Sequence, residues 1–368
     1  IPKKKVFPSV AVIGGGIFGT SAAAELDKFC SVTIFEKNSD LMQEGTLVNC
    51  FRHHSGYHYP RSSETVIDIQ NSREDFEKIY KKAILYSYPT YYGVAKNNSH
   101  VSAKEFLAFC KKHDLPYEKD VLPSSLLSKD EITMCVKVPE PGYHYKKLTQ
   151  IVKNRLGKKP TIKILCNSLI TNLSLNKDGT KTVTYLKNNK IRTEKKFDFV
   201  VNATYANINH MAEWLSFEQY PLRVDLAEVL VIKLNIDPIS ITLIDGPFAT
   251  LMPTGNKNEF TLYHVVESVL DRYIPKNGVP KKLRGKPSNQ DAIIKESLKF
   301  FPILKDAIVT ESRIVHRGVQ AHHEHDDSRV ADLIDHGFGC WSILSGKILS
   351  SVTTGKRISG IIKNSLKN

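Results

Sequence analysis

The chain has 368 residues, 41% hydrophobic and 24% charged, with a net charge of +14; this buries a substantial core and suggests a globular protein of two domains or one large two-lobed unit. No run approaches eighteen apolar residues, and Lys3-Lys4-Lys5 leads into a glycine-rich turn where a signal peptide would place an apolar stretch, so neither a transmembrane helix nor an export signal is expected. The six cysteines, at 30, 50, 110, 135, 166 and 340, have no metal-finger or CxxC spacing, which points to free thiols and a reducing, cytoplasmic setting.

In chain order, the first pattern is "SVAVIGGGIFGTSAAAELDK", an apolar strand running through glycines into an alanine-rich helix, followed by the strand "SVTIFEK". Gly14-x-Gly16-x-x-Gly19 falls between strand and helix, and Glu36 ends the second strand, as in a dinucleotide-binding βαβ unit. Gly14 permits the tight turn, Gly16 lets a pyrophosphate approach the backbone, and Gly19 lets helix and strand pack closely. The helix N-terminus offers unpaired N–H groups to phosphates, and Glu36, with Lys37 beside it, is placed to bind an adenosine ribose. This motif does not separate NAD from FAD.

Next comes "NCFRHHSGYHYPRS", residues 49–62, dense in histidine, tyrosine and arginine. It is a metal site, an active-site wall or a polar loop. On an extended strand His53 and His54 point to opposite faces, leaving His54 and His58 as co-facing ligands with no Cys, Asp or Glu nearby to complete a metal shell. "SSETVIDIQNSREDFEKIYKKAI" then has helical spacing at Val66, Ile69, Phe76 and Ile79, and "YSYPTYYGVAK" reads as a strand in which Tyr88, Tyr91 and Tyr92 are candidates to face a pocket. Residues 148–175 read as a helix and two strands, and "KKFDFVVNAT" at 195–204 as one buried strand ending in small polar residues. "LRVDLAEVLVIKLN", "ITLIDGPFATLMP" and "EFTLYHVV" read as successive strands of an antiparallel sheet. The run "HHEHDD" at 322–327 is rich in potential ligands and reads as a polar loop. The chain ends with a glycine turn, a short apolar strand, a Ser-Gly-Lys turn and an amphipathic helix.

This order resembles the FAD-dependent oxidoreductases of the D-amino-acid oxidase type, which include glycine and sarcosine oxidases and the glycerol-3-phosphate and L-2-hydroxyglutarate dehydrogenases. The resemblance implies an α/β fold: a Rossmann-like FAD-binding domain (1–60, 146–210 and 309–368) with an inserted α+β substrate domain on an antiparallel sheet (61–145 and 211–308). It places Ala203 and Thr204, which end "DFVVNAT", beside the dinucleotide, and Gly346 and Lys347 of "LSGKILSS" beneath the flavin pyrimidine, where positive charge favours the anionic reduced ring. "HSGYHYP" is similar to the His-x-Gly-x-Tyr-Tyr-Pro stretch of the hydroxyglutarate dehydrogenases, with His58 standing in place of a tyrosine. That makes 54–60 an active-site wall, with His54 the first candidate base, His58 the second and Tyr59 beside them. One departure stands out. Where the family carries a carboxylate-binding arginine, "VHRGVQAH" has Gln320, so an anionic substrate requires Arg317, Arg61 or Arg52 in its stead.

The implied activity is oxidation of a C–H bond next to an amine or hydroxyl of a small, anionic substrate by hydride transfer to flavin, with oxygen or another acceptor completing turnover. Two alternatives stand beside it: a flavoenzyme acting on a modified RNA base, which the charge suits but for which no RNA-binding motif is found, and a non-catalytic dinucleotide-binding protein. The +14 charge is equally met by solvated lysine-rich faces.

Overall fold

A computed structural model describes residues 7–281, 287–321 and 330–367 of the chain. The Lys3–Lys5 triplet and the run at 322–327 lie outside these described residues.

The first βαβ unit forms as its pattern predicts: strand β1 (Ser9–Ile13), helix α1 (Ile17–Leu26) and strand β2 (Ser31–Phe35). β1 and β2 pair in parallel and sit inside a six-stranded sheet ordered Asp332–Asp335, Cys340–Leu344, Phe199–Asn202, β1, β2, Ile162–Leu165. All these neighbours are parallel except the first pair, an antiparallel edge. Apart from Glu25, which pairs with Lys28 and Arg155, helix α1 is apolar or small all round, and every one of its residues is buried. Such a helix needs cover on both sides; the sheet lies on one and the C-terminal helix, Ser351–Ser365, on the other.

The turn between β1 and α1 is tight. Gly14 adopts φ +106°, its N–H donates to Phe35 O at 2.8 Å, and a Cβ there would lie 2.5 Å from the carbonyl oxygen of Ala203. Gly19 is more constrained still: a Cβ on it would sit 2.0 Å from the carbonyl oxygen of Gly14. The start of the helix therefore rests directly on the turn.

A second, larger sheet has nine strands. Eight follow the order Val269–Tyr273, Leu222–Lys233, Glu259–His264, Ala249–Pro253, Ser240–Ile244, Thr90–Ala95, Ile132–Val138, Glu118–Lys119. The ninth, Ile308–Gln320, pairs along Leu222–Lys233. The expected antiparallel sheet has one exception, because Thr90–Ala95 and Ser240–Ile244 run parallel. "ITLIDGPFATLMP" proves to be two antiparallel strands rather than one, with the residues Asp245–Phe248 between them. Its core joins Ile241, Leu251, Phe260 and Leu262 to Phe300 and Phe301.

Helix α2 (Ser63–Tyr80) starts at Ser62, whose hydroxyl accepts the Thr65 N–H, and buries Val66, Ile69 and Phe76. It packs against the C-terminal helix and the turn before it. The stretch 195–204 also differs from the single strand expected. It breaks at Asp198, whose carboxylate accepts the Ser9 N–H at 2.7 Å; residues before the break finish a three-stranded antiparallel sheet, and those after it enter the six-stranded one. All six cysteines are free. No helix among the described residues is long and apolar enough to cross a membrane.

Because the Gly19 contact is with backbone, no side-chain rotation relieves it. Gly19→Ala is expected to cost about 3 kcal/mol or more, the upper end of overpacking penalties. Denaturant titration checks this; a loss within about 0.5 kcal/mol, the range of a neutral surface change, would contradict the packing described.

Candidate active site

One cavity of about 1660 Å³ runs from the β1–α1 turn to the histidine segment and the C-terminal turn. It exceeds the roughly 300–1000 Å³ of an ordinary small-molecule pocket, so it has room for a large ligand and a small one together. Gly14, Gly16, Glu36, Lys37, Ala203 and Thr204 line one end; His54, His58, Tyr59, Arg61, Arg317, Gly346 and Lys347 line the other. Gly19 does not reach the wall, consistent with its packing role beneath the turn.

At the glycine end, α1 begins at Gly16, which has no side chain to cap it; the Ile17 N–H donates to Thr46 Oγ1 at 3.2 Å, and the helix N-terminus lies at the cavity wall. Glu36 is buried, and its two oxygens accept the N–H groups of Gly15 and Asn38, each at 2.8 Å. Burial pushes its pKa up and these two hydrogen bonds oppose the shift. Each oxygen keeps a further lone pair for a ligand hydroxyl. Lys37 pairs with Glu44 at 3.0 Å.

The histidine segment bridges to Gly142 at Arg52, and the side chains that follow diverge. His53 has no exposure and points away: Nδ1 lies 2.7 Å from the Tyr143 hydroxyl and Nε2 2.8 Å from a Glu77 oxygen. His54 faces the cavity instead. Its Nδ1 has no hydrogen-bond partner among the described residues, and its ring packs against His58 and Tyr59 with centroids 5.8 and 5.4 Å away. Burial, with Lys347 and Arg52 adding to it, holds the His54 pKa well below the usual imidazole range, so the ring is neutral at physiological pH. Lys347 lies over the Tyr59 ring, 4.5 Å from its centroid. Among the described residues, no group of three or more His, Cys, Asp or Glu side chains is arranged to hold a metal.

The three candidate arginines differ in what already holds them. Arg52 is buried and bonded to Glu140 at 3.0 Å and to the hydroxyls of Tyr92 and Thr242. Arg61 is paired with Asp245. Arg317 stacks over the Tyr263 ring, 4.7 Å from its centroid. It makes no side-chain hydrogen bond or ion pair that commits it elsewhere among the described residues. Gln320, three positions on, is not on the cavity wall, nor are Tyr88, Tyr91 and Tyr92. Tyr91 and Tyr92 bond Asp120 and Glu140.

Several cavity residues carried no signal singled out in the sequence. Asp225 accepts from Arg223 and from Arg272, at 3.1 and 2.9 Å, and lies opposite Arg317 in strand register. The clue was available: Arg223 and Asp225 are two charges on one face of an otherwise buried strand. Cys50 and Asp245 also line the cavity, without any local pattern to mark them.

With this geometry in view, the comparisons are direct. Residues 9–340 match the model of the FAD dependent oxidoreductase family. A FAD-dependent monooxygenase of Fusarium mangiferae is 24% identical over 270 residues, covering 72% of this chain and 66%, just under two thirds, of that protein. Among solved structures, glycine oxidase from Geobacillus kaustophilus superposes with a TM-score of 0.74 at 12% identity, covering 97% of this chain and 95% of that one. Glycerol-3-phosphate dehydrogenase from Bacillus halodurans, complexed with FAD, gives 0.67 at 16% identity, covering 99% and 66%.

Removing the Glu36 carboxylate frees the Gly15 and Asn38 N–H groups and loosens the glycine turn. Glu36→Ala is expected to weaken FAD retention by about 1.5–3 kcal/mol, the worth of hydrogen bonds to a charged group, with the fold intact by circular dichroism. Full flavin occupancy of the variant after dilution and gel filtration, with acid precipitation releasing the flavin, would show that Glu36 does not support the cofactor.

Proposed function

The chain belongs to the FAD dependent oxidoreductase family, and from that premise we propose that it is an oxidase or dehydrogenase removing a hydride from a C–H bond beside an amine or hydroxyl of a small anionic substrate. The single observation that carries this reading is that one cavity is lined both by His54, neutral and with no partner for Nδ1, and by Arg317, not tied up in an ion pair among the described residues.

The residues present fit FAD. The α1 N-terminus and Gly14, Gly16 and Glu36 suit a pyrophosphate and ribose, Ala203 and Thr204 close that end, and Gly346 and Lys347 suit a flavin ring that gains negative charge. Bound FAD supplies the hydride acceptor. In this reading His54 takes the proton from the substrate hydroxyl or ammonium, its buried ring being already neutral; His58 is the second candidate, and Tyr59 holds the wall between them and Lys347. Arg317 binds the substrate anion in place of Gln320, and Arg61, paired with Asp245, borders the same space. The domain division is part of the proposal: 1–60, 146–210 and 309–368 for FAD, 61–145 and 211–308 for substrate. Strand Ile308–Gln320, in the larger sheet, then carries Arg317 across that boundary.

The relative's name supports a second reading, monooxygenation. The two part at the source of electrons. A dehydrogenating enzyme has its flavin bleached anaerobically by the substrate alone, and a monooxygenase needs a separate reductant such as NADPH.

A panel of short α-amino and α-hydroxy acids, each with its neutral amide, tests the proposal anaerobically. Bleaching by acids and not amides is expected, and bleaching only with NADPH would favour monooxygenation. His54→Asn should slow bleaching roughly 10²–10⁴-fold with flavin still bound, as loss of a general base does. A wild-type rate in that variant would pass the role to His58.

Arg317→Gln should raise the half-saturating acid concentration about 30-fold or more, since losing one partner of a buried charge pair costs about 2–5 kcal/mol. An unchanged value would remove Arg317 from anion binding.

The pH dependence has a definite sign. With its pKa depressed, His54 stays neutral well below the usual imidazole value of about 6.5, so with a hydroxy acid bleaching should be level from there upward and fall only in more acidic buffer. A midpoint at or above that value would contradict the assignment.

A further inference from the structure

His54 is fixed by its backbone rather than by its own ring nitrogens, and the residues that fix it lie outside the cavity. Arg73 and Glu77 stand four apart on α2 and pair at 3.1 Å. Between them they hold three consecutive residues. A Glu77 oxygen lies 2.8 Å from His53 Nε2, and Arg73 Nη2 donates to the His54 carbonyl at 2.9 Å and to the Ser55 hydroxyl at 2.6 Å. From the opposite side, Glu140 accepts the Ser55 N–H at 2.6 Å and is itself held by Arg52 at 3.0 Å. The peptide carrying His54 is thus clamped between two charged pairs, while Nδ1 of the ring has no partner to set its direction.

We infer that Arg73 and Glu77 are positioning residues for His54: they aim a ring they do not touch, by holding the side chain before it, its own carbonyl and the hydroxyl after it. Neither lines the cavity, so neither meets substrate or flavin. The inference rests on the reading of His54 as the proton acceptor, and it explains how a proton acceptor lacking a second hydrogen bond of its own keeps one orientation. The tolerance is narrow, because a displacement near 1 Å of a reacting group costs roughly 10²-fold in rate. Arg73 suits the task, since its planar fork reaches Glu77 with one arm and the 54–55 backbone with the other; a lysine ammonium has the charge but not the reach of two arms.

The test reads the ring directly. In flavin-loaded protein with 15N-labelled histidine, the His54 signal is assigned by its loss in His54→Asn. In Arg73→Gln that signal should shift, and broaden or split as the ring samples several orientations, while the His210 and His264 signals stay in place. Arg73→Lys should restore part of the wild-type position. Should Arg73→Gln fail to accumulate, Glu77→Gln, which loosens Arg73 while leaving an acceptor for His53, makes the same prediction with a smaller displacement. An unaltered His54 signal in a variant that only melts earlier would overturn the inference and leave α2 with a structural role alone. The bleaching experiment is separate: a wild-type rate in His54→Asn refutes the catalytic reading even where the ring has moved, and a slow His54→Asn with an unmoved ring in Arg73→Gln refutes only the positioning.

Discussion

The buried pair of Arg52 and Glu140 ties the site together. Arg52 lies in the segment that leaves the six-stranded sheet, yet its guanidinium bonds Tyr92 and Thr242, which belong to two strands of the larger sheet, as well as Glu140. Burying two charges is costly unless every lone pair and proton is used. Here one Glu140 oxygen serves Arg52 and Tyr92 and the other the Ser55 N–H. The gain is in specificity of geometry: the histidine segment has one register against the larger sheet, and the cavity between them has one shape.

That arrangement makes the alternation of residues 52–55 a sorting device. Arg52 and His54 line the cavity, and His53 turns toward α2. His53 ends as a buried, doubly bonded structural histidine and His54 as a cavity histidine, although they are the same residue type, adjacent in sequence. Their difference is entirely in what each face meets.

How far the sequence reveals this depends on the range of the interaction. The βαβ unit was legible because its constraints are local: Gly14, Gly19 and Glu36 act within one supersecondary unit, and the steric demand on each is met by residue type alone. The opposite directions of His53 and His54 follow from period two. The proposed role of Arg317 was half legible: Gln320 in place of an arginine was visible, and choosing among three arginines required knowing which already had an acid. Glu140 and Asp245 supply that answer from 88 and 184 residues away, and no spacing rule connects such positions. The break at Asp198 was hidden for the same reason, since its partner is Ser9.

The interleaving of strands bears on how the protein is made. Within the six-stranded sheet, Phe199–Asn202 must pair with both β1 and Cys340–Leu344, and the back of α1 is covered chiefly by the helix at 351–365, with the helix Tyr145–Gly157 beside it. In chain order the βαβ unit comes well before its central neighbour Phe199–Asn202, and that strand well before the helix at 351–365 that packs on α1. Pairings of such long separation form slowly, and until they form α1 presents a sticky surface to other chains. The demand on chaperones should therefore fall on the βαβ unit, and loss of the helix at 351–365 should expose α1.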